Sequence, residues 1–500
     1  MNPALSRPLA SPALPASSRR RAVSRAPLHT TMAVTAALLS WALVGDWLAP
    51  VAVLLLWAIW YLLRSDEGPP VLALALTFQW TQVTSGVFYH GITGRDLDTI
   101  LLSDYRPMVL IGMGCVASLT AGLAVALRWR RSRPARFALP QHAFGTQGLY
   151  SLYLVLLVSM GFVQTLAWQL PMLTQGILAL GFLRLVAFYL LLRRLTAPSI
   201  RWRPVLLLLA VEVLLGFTGF FASFREPLML LTLVFLERFN ARRLRHWLLV
   251  GASSALIFFF ALLWLSIRTT YRSSFQMEAF AQSRTARLEK VATLSRGWLG
   301  SDFDQMMENV DFFVDRLWTV YYPALAVSRV PEVLPHTGGE ILKGAVRHIL
   351  MPRLFFPNKP GVTSDSEMVR KYSGVWVAGA EQGTSIAFGY AAESYLDFGL
   401  PWMFAPVLVL GFVMGRLYLF LLWRVWHREL AVGLVTVVFW LALYLFERSW
   451  IQTLGFSFTL MIYMGVSVWA LDRYLMSRRA RRKRLLGLNE VKPSSPAVPA

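Results

Sequence analysis

The sequence predicts an all-α, polytopic membrane protein with about twelve transmembrane helices and one large folded loop. Three observations carry that fold class. First, 56% of the residues are hydrophobic and 15% charged, with a mean hydropathy of +0.52. An ordinary soluble domain carries about 25% charged residues, so this chain needs lipid as its solvent. Second, apolar runs recur from residue 31 to residue 471 with a single long interruption. Third, the basic residues alternate from one gap between runs to the next, as expected of a chain sorted by the positive-inside rule.

Residues 1–28 are rich in Pro, Ala, Ser and Arg and read as a disordered basic tail. A signal peptide is the competing reading, but the apolar segment runs on into a second span without a small-residue cleavage site. The apolar runs fall at approximately 29–45, 50–63, 71–89, 107–127, 148–167, 175–192, 203–223, 227–237, 247–267, 401–422, 430–446 and 453–471. A span needs about twenty residues and tolerates somewhat fewer. The organisation is therefore a tail (1–28), nine helices (29–267), a loop (268–400), three helices (401–471) and a basic tail (472–500).

With the N-terminus inside, the inner gaps hold Arg64, Arg128 to Arg136, Arg193 to Arg203, Arg238 to Arg245, and Arg424 with Arg428. The cluster from Arg473 to Arg484 also falls inside. The outer gaps hold Asp46, Asp96, Asp98, Asp104, Glu226 and Glu447 against Arg95, Arg106, Arg225 and Arg448. The loop 268–400 then lies outside, and its 14 Lys/Arg balance its 14 Asp/Glu. The net charge of +22 thus resides mostly on the cytoplasmic side. That assigns it to topology and to contact with anionic lipid, and removes nucleic acid as a partner. The lone Cys115 sits in an apolar run and permits no internal disulfide.

The loop carries folding signals. Ser301 to Asp304 and Thr337 to Glu340 have capping-box spacing, each ahead of a helix-periodic stretch, and Pro352 ends the second. Gly389 to Pro401 mixes glycines with aromatics and suggests a broken helix leading into the tenth span.

Ionisable residues inside spans are functional candidates. Arg184 and Glu212 qualify, either as an ion pair between neighbouring helices or as the floor of a polar cavity. Arg225, Arg268 and Arg272 cluster at predicted outer ends of spans. Singly each is an interfacial anchor; together they form a basic collar whose guanidinium forks suit phosphate. His348, beside Lys343 and Arg347, is a candidate general base. Its bland reading is a surface histidine at a helix end.

The stretch Pro352-Arg353-x-x-Phe356-Pro357-x-Lys359-Pro360 resembles a loop signature of bacterial oligosaccharide repeat-unit polymerases of the Wzy type, relatives of the O-antigen ligases. So does Glu393-x-Tyr395-x-x-Phe398-Gly399 leading into a span, as does the placement of Arg225 and Arg268. The resemblance covers the architecture of roughly 30–471, with its diagnostic residues in 223–272 and 340–401. It implies a GT-C-like helical fold in the bacterial inner membrane; the charge alternation predicts both termini cytoplasmic. The implied reaction is an inverting, metal-independent transfer between undecaprenyl-pyrophosphate-linked glycans at the periplasmic face, without a cofactor or nucleotide sugar. Membrane lipids, a chain-length regulator and a flippase are the further partners it implies. Arg225, Arg268, Arg272, Arg353 and Lys359 would hold pyrophosphate, and His348 or Glu393 would act as base. Two other classes stay open. One is a GT-C transferase using a polyprenyl-phosphate sugar with Asp96 and Asp98. The other is a lipid-linked glycan transporter with Arg184 and Glu212 in its pathway.

Overall fold

The computed structural model describes residues 26–64, 68–95, 97, 104–129, 142–170, 172–197, 199–218, 224–275, 284–352, 355–356, 358–359, 361–382 and 384–485. Nearly all of the N-terminal tail, Asp96, Asp98 and Arg353 lie outside these residues. Among the described residues the chain is all-helical and contains no strand.

The first nine apolar runs become α1 (Ala26–Val44), α2 (Leu48–Leu63), α3 (Val71–Thr93), α4 (Arg106–Arg128), α5 (Thr146–Gln169), the pair α6 (Thr174–Gly181) and α7 (Leu183–Leu195), α8 (Trp202–Phe217), α9 (Arg225–Glu237) and α10 (Leu244–Phe275). The loop folds into α11 (Arg284–Leu299), α12 (Phe303–Leu317), α13 (Tyr321–Arg329), α14 (Glu340–Leu350), α15 (Asp365–Ser373) and α16 (Tyr390–Phe398). The last three runs are α17 (Phe404–Arg424), α18 (Arg428–Leu443) and α19 (Trp450–Leu485).

Among the described residues, seven stretches are long and apolar enough to cross a membrane: α3, α4, α5, Thr174–Leu195, Leu244–Ser273, α17 and Trp450–Arg479. The other five runs form helices of 13 to 19 residues. Two helices outrun their apolar segments. The α10 helix continues two turns past residue 267 and carries Arg268 and Arg272 on ordered backbone. The α19 helix continues into the basic stretch to Leu485.

The helix α18 is the axis of the bundle. Every residue from Glu429 to Leu443 is buried, because the helix is apolar on all sides and must be enclosed. It packs against α3, α7, α17 and α19. The closest helix pair is α4 with α17, where small residues let the backbones meet. A Cβ on Gly411 would strike the Leu119 carbonyl, and one on Gly415 would come within 2.6 Å of the Ala126 Cβ. At the periphery the apolar side chains point outward. Leu154, Val155, Val158 and Phe162 of α5 and Leu206 and Leu207 of α8 are exposed, the surface a bilayer would cover.

Polar contacts sort the helix ends into two groups. Asp46 meets Tyr105 and Arg106; Tyr89 meets Asp311; Arg95 meets Asp315; Arg225 meets Tyr444; Arg316 meets Glu447. All of these lie in or beside odd-numbered gaps. Arg194 and His142 meet Glu429, Arg193 meets Glu237, and His427 meets Asp472. These belong to even-numbered gaps or the C-terminal tail. Among the described residues no ion pair joins the two groups, so the charge alternation in the sequence becomes two ends of one bundle.

The capping signals are realised differently from their sequence spacing. Asp302, not Ser301, caps α12 by accepting from the Gln305 N–H at 3.0 Å. The N-cap of α14 is Gly339, with no side chain to offer. Its first N–H groups go instead to Asp397 of α16, from Ile341 at 3.0 Å and Leu342 at 2.8 Å. A reciprocal capping box does form, between Ser364 and Glu367 of α15.

Gly411→Leu should lower the melting temperature or yield of the detergent-purified protein strongly, since overpacking costs about 1–3 kcal/mol and here the obstacle is backbone. Gly161→Ala, on an open helix face with no neighbour within 4 Å, should leave both unchanged. Equal behaviour of the two variants would contradict the close α4–α17 packing.

Candidate anion-binding site

The site is built on a break between two helices. The α18 helix ends at Leu443 and α19 begins at Trp450, and residues 444–449 turn between them within the protein. A helix end leaves its last four carbonyls without partners, and in a dry interior each must be satisfied. Two glutamines one turn apart on α3 do much of this. The Gln79 side-chain N–H donates to the Leu443 carbonyl at 2.5 Å, and that of Gln82 to the Tyr444 carbonyl at 2.8 Å. The Gln82 oxygen accepts from the Phe446 N–H at 3.2 Å. Arg448 reaches back to donate to the Leu441 carbonyl at 2.5 Å, a cation at a helix C-terminus where the macrodipole favours it. The Tyr390 N–H donates to the Arg448 carbonyl at 2.6 Å.

This turn presents Tyr444, Glu447 and Arg448 to three other elements. Arg225, at the start of α9, donates to the Tyr444 hydroxyl at 3.0 Å, with its guanidinium carbon 5.3 Å from the ring centre. Arg448 lies at the same distance from that ring and 4.6 Å from the Phe456 ring. Glu226 stands 3.9 Å from Arg225, with its Oε2 buried and without a hydrogen-bond partner. Arg316 of α12 donates to Glu447 at 3.2 Å. Arg268 of α10 lies over the Phe312 ring at 5.7 Å, within electrostatic reach of Arg316 and Arg272. Three guanidiniums, of Arg225, Arg448 and Arg316, thus meet two carboxylates, Glu226 and Glu447, at one end of an apolar bundle, and Arg268 and Arg272 adjoin them through Arg316. The surplus of positive charge, beside low-dielectric walls, attracts an anion rather than a cation.

The structure brings Arg225, Arg268 and Arg272 to this end, as the sequence predicts. It adds Tyr444, Glu447, Arg448 and Arg316, which sequence reading did not assign to the collar. Glu447 and Arg448 were visible as outer-gap charges. Nothing in the sequence ties Arg316, in a distant loop helix, to residue 447.

The other predicted residues lie elsewhere. His348 is on the last turn of α14, where Lys359 contacts its Nε2 at 3.1 Å and its carbonyl at 3.0 Å. That pairing joins the two ends of the 348–359 segment. Glu393 is buried in α16, where its Oε2 accepts from the Trp450 N–H at 2.6 Å and so caps α19. Burial pushes its carboxyl up to about 8; the Trp450 N–H opposes this, and nearby Asp365 and Asp397 add to it. Arg184 and Glu212 form a buried ion pair joined by the Tyr153 hydroxyl, which donates to Glu212 at 2.7 Å. That is the interhelical pair of the structural reading.

Residues 116–419 match a family described as a domain of unknown function, DUF8712, and the chain belongs to it. The matched region includes Arg225, Arg268, Arg272, Arg316, His348 and Glu393. It stops before the turn that carries Tyr444, Glu447 and Arg448. No curated protein and no solved structure matches the chain.

The raised carboxyl of Glu393 has a consequence for stability. The folded state holds its proton more tightly than the unfolded chain, so this contribution is full at acid pH and is lost as pH rises through about 8. The melting temperature in detergent should therefore fall between about pH 5 and about pH 8. Glu393→Gln keeps an oxygen for the Trp450 N–H and should flatten that fall. An unchanged slope in the variant would show that the proton sits elsewhere.

Proposed function

We propose that this protein is a membrane-embedded, inverting, metal-independent glycosyltransferase. In this reading it polymerises polyprenyl-pyrophosphate-linked oligosaccharide repeat units into a surface or exopolysaccharide at the periplasmic face of the bacterial inner membrane. The observation that carries the reading is the convergence of Arg225 and Arg448 on Tyr444, with Arg268, Arg272 and Arg316 adjoining. A pyrophosphate leaving group gains negative charge as its bond to the sugar breaks. Prepositioned guanidiniums stabilise that charge most in a water-poor cleft. The resemblance to Wzy-type polymerases supports the same reading, because two of its hallmark arginines fall in this cluster.

The topology that goes with it has twelve spans, both termini cytoplasmic, and the loop helices α11–α16 covering the outer face. The sorting of polar contacts by gap parity supports this orientation, since all five collar arginines then share the outer end. Reporter fusions after residue 244 should read cytoplasmic and one near residue 330 periplasmic. Reversal of either signal would put the arginine cluster on the wrong side for a lipid-linked glycan.

Arg225→Lys and Arg268→Lys should each cut polymer formation by about 10²–10³, the usual cost of one transition-state donor, because lysine lacks the planar fork. Membrane levels should stay normal. Arg296→Lys, on an exposed face of α11, should have no effect. The measurement is the polymer ladder from a deletion strain carrying each variant. Accumulation of single lipid-linked repeat units in the empty deletion strain is the accompanying expectation. Normal polymer from both collar variants would overturn the reading.

A further inference from the structure

The proposed transfer needs a group to take the proton from the attacking hydroxyl, and neither base suggested by the sequence stands at the arginine cluster. His348 is paired with Lys359 at the far end of α14. Glu393 is buried, and one of its oxygens is committed to the head of α19. Two carboxylates remain at the cluster itself. Glu226 is buried at the start of α9, its side chain only 11% exposed. Glu447 is different. Its side chain is 31% exposed, and it sits on the unwound turn between Phe446 and Arg448. One oxygen accepts from Arg316 at 3.2 Å. The other makes no hydrogen bond among the described residues.

We propose that Glu447 is the catalytic base of the site, held by Arg316 on one oxygen and open to the acceptor hydroxyl on the other. This rests on the glycosyl-transfer reading above and adds the acid–base group to it. The step balances as follows. The acceptor hydroxyl oxygen forms a bond to the anomeric carbon of the donor sugar. The bond from that carbon to the pyrophosphate oxygen breaks, and its electron pair leaves with the pyrophosphate. The hydroxyl proton passes to the free Glu447 oxygen and is later lost to water. The groups facing Glu447 suit this division of labour. Arg225 and Arg448 act within electrostatic reach from the side of Tyr444, where the leaving anion would lie. Arg316 fixes the carboxylate from the loop. The α12 helix packs on α3 and α10 and so carries Arg316 from the loop to a turn 131 residues further along the chain.

The test separates this claim from the reading beneath it. The full-length protein in lipid nanodiscs is assayed for binding of undecaprenyl pyrophosphate, and the same variants are assayed for polymer in the deletion strain. Glu447→Gln should bind the probe as the wild type does, since it keeps the size and an oxygen for Arg316. It should lose polymer by about 10²–10⁴, the usual contribution of a general base. Glu447→Ala should regain part of its activity when formate supplies the missing carboxylate, which a purely structural role would not allow. If Glu447→Gln does not accumulate, Glu447→Asp serves. It retracts the carboxylate by one methylene and should slow the reaction by at least about tenfold. Full polymer from Glu447→Gln, or from Glu447→Asp in its place, overturns the base assignment and leaves the transfer reading intact. Loss of probe binding in Glu447→Gln also overturns it, making Glu447 part of the binding framework. Failure of the wild type to bind the probe overturns both.

Discussion

The two glutamine amides of α3 are the contact on which the arginine-bearing end of the bundle depends. A turn of six residues interrupts a buried helix, and an interruption there exposes carbonyls and N–H groups with no water to receive them. Gln79 and Gln82 supply donors to the Leu443 and Tyr444 carbonyls and an acceptor to the Phe446 N–H. An unsatisfied buried group costs about 1–3 kcal/mol, so these two side chains decide whether the turn exists. Tyr390 extends the network by donating its hydroxyl to the Gln79 oxygen at 2.7 Å. With the turn in place, Tyr444 faces Arg225, Glu447 faces Arg316, and Arg448 caps the helix it follows.

The short helix α16 joins the loop to the same frame. Glu393 and Asp397 lie one turn apart, and each carboxylate accepts from the N–H groups at the start of another helix. Glu393 takes the head of α19, and Asp397 the head of α14. The first N–H groups of a helix have no partner within it, so one nine-residue element ties the final helix and the loop together through two buried acids. Its Glu-x-Tyr-x-x-Phe-Gly pattern, read in the sequence as part of a polymerase signature, has this structural role at Glu393. The local pattern is compatible with the family resemblance, while the proposed acid–base group lies on the turn that α16 supports.

Much of this was legible in the chain. The twelve apolar runs all became helices, and the loop forms helices of its own among the described residues. Arg225, Arg268 and Arg272 share one end as their gap parity implied. The capping readings failed at different ranges: the cap of α12 shifts by one residue to Asp302, whereas that of α14 comes from another helix. The capping boxes at Ser301 and Thr337 were inferred from spacing along the chain, yet α14 receives its cap from Asp397, a residue 55 or more positions away. Arg184 and Glu212, 28 residues apart on neighbouring helices, offered a choice between a pathway and a pair. Only the Tyr153 hydroxyl, arriving from a third helix, completes the pair.

The sequence by itself determined the solvent, the helical class and the sorting of charged residues into two ends. Those properties are sums over local composition and survive any arrangement of the helices. Only the tertiary structure decided which charges meet. Arg316 reaches Glu447 and Arg225 reaches Tyr444 because α12, α9 and the 444–449 turn converge, contacts separated by 131 and 219 residues. Electrostatic interaction falls with distance in space and is indifferent to distance along the chain. A candidate site made of such pairs is therefore set by packing, which no periodicity or spacing encodes.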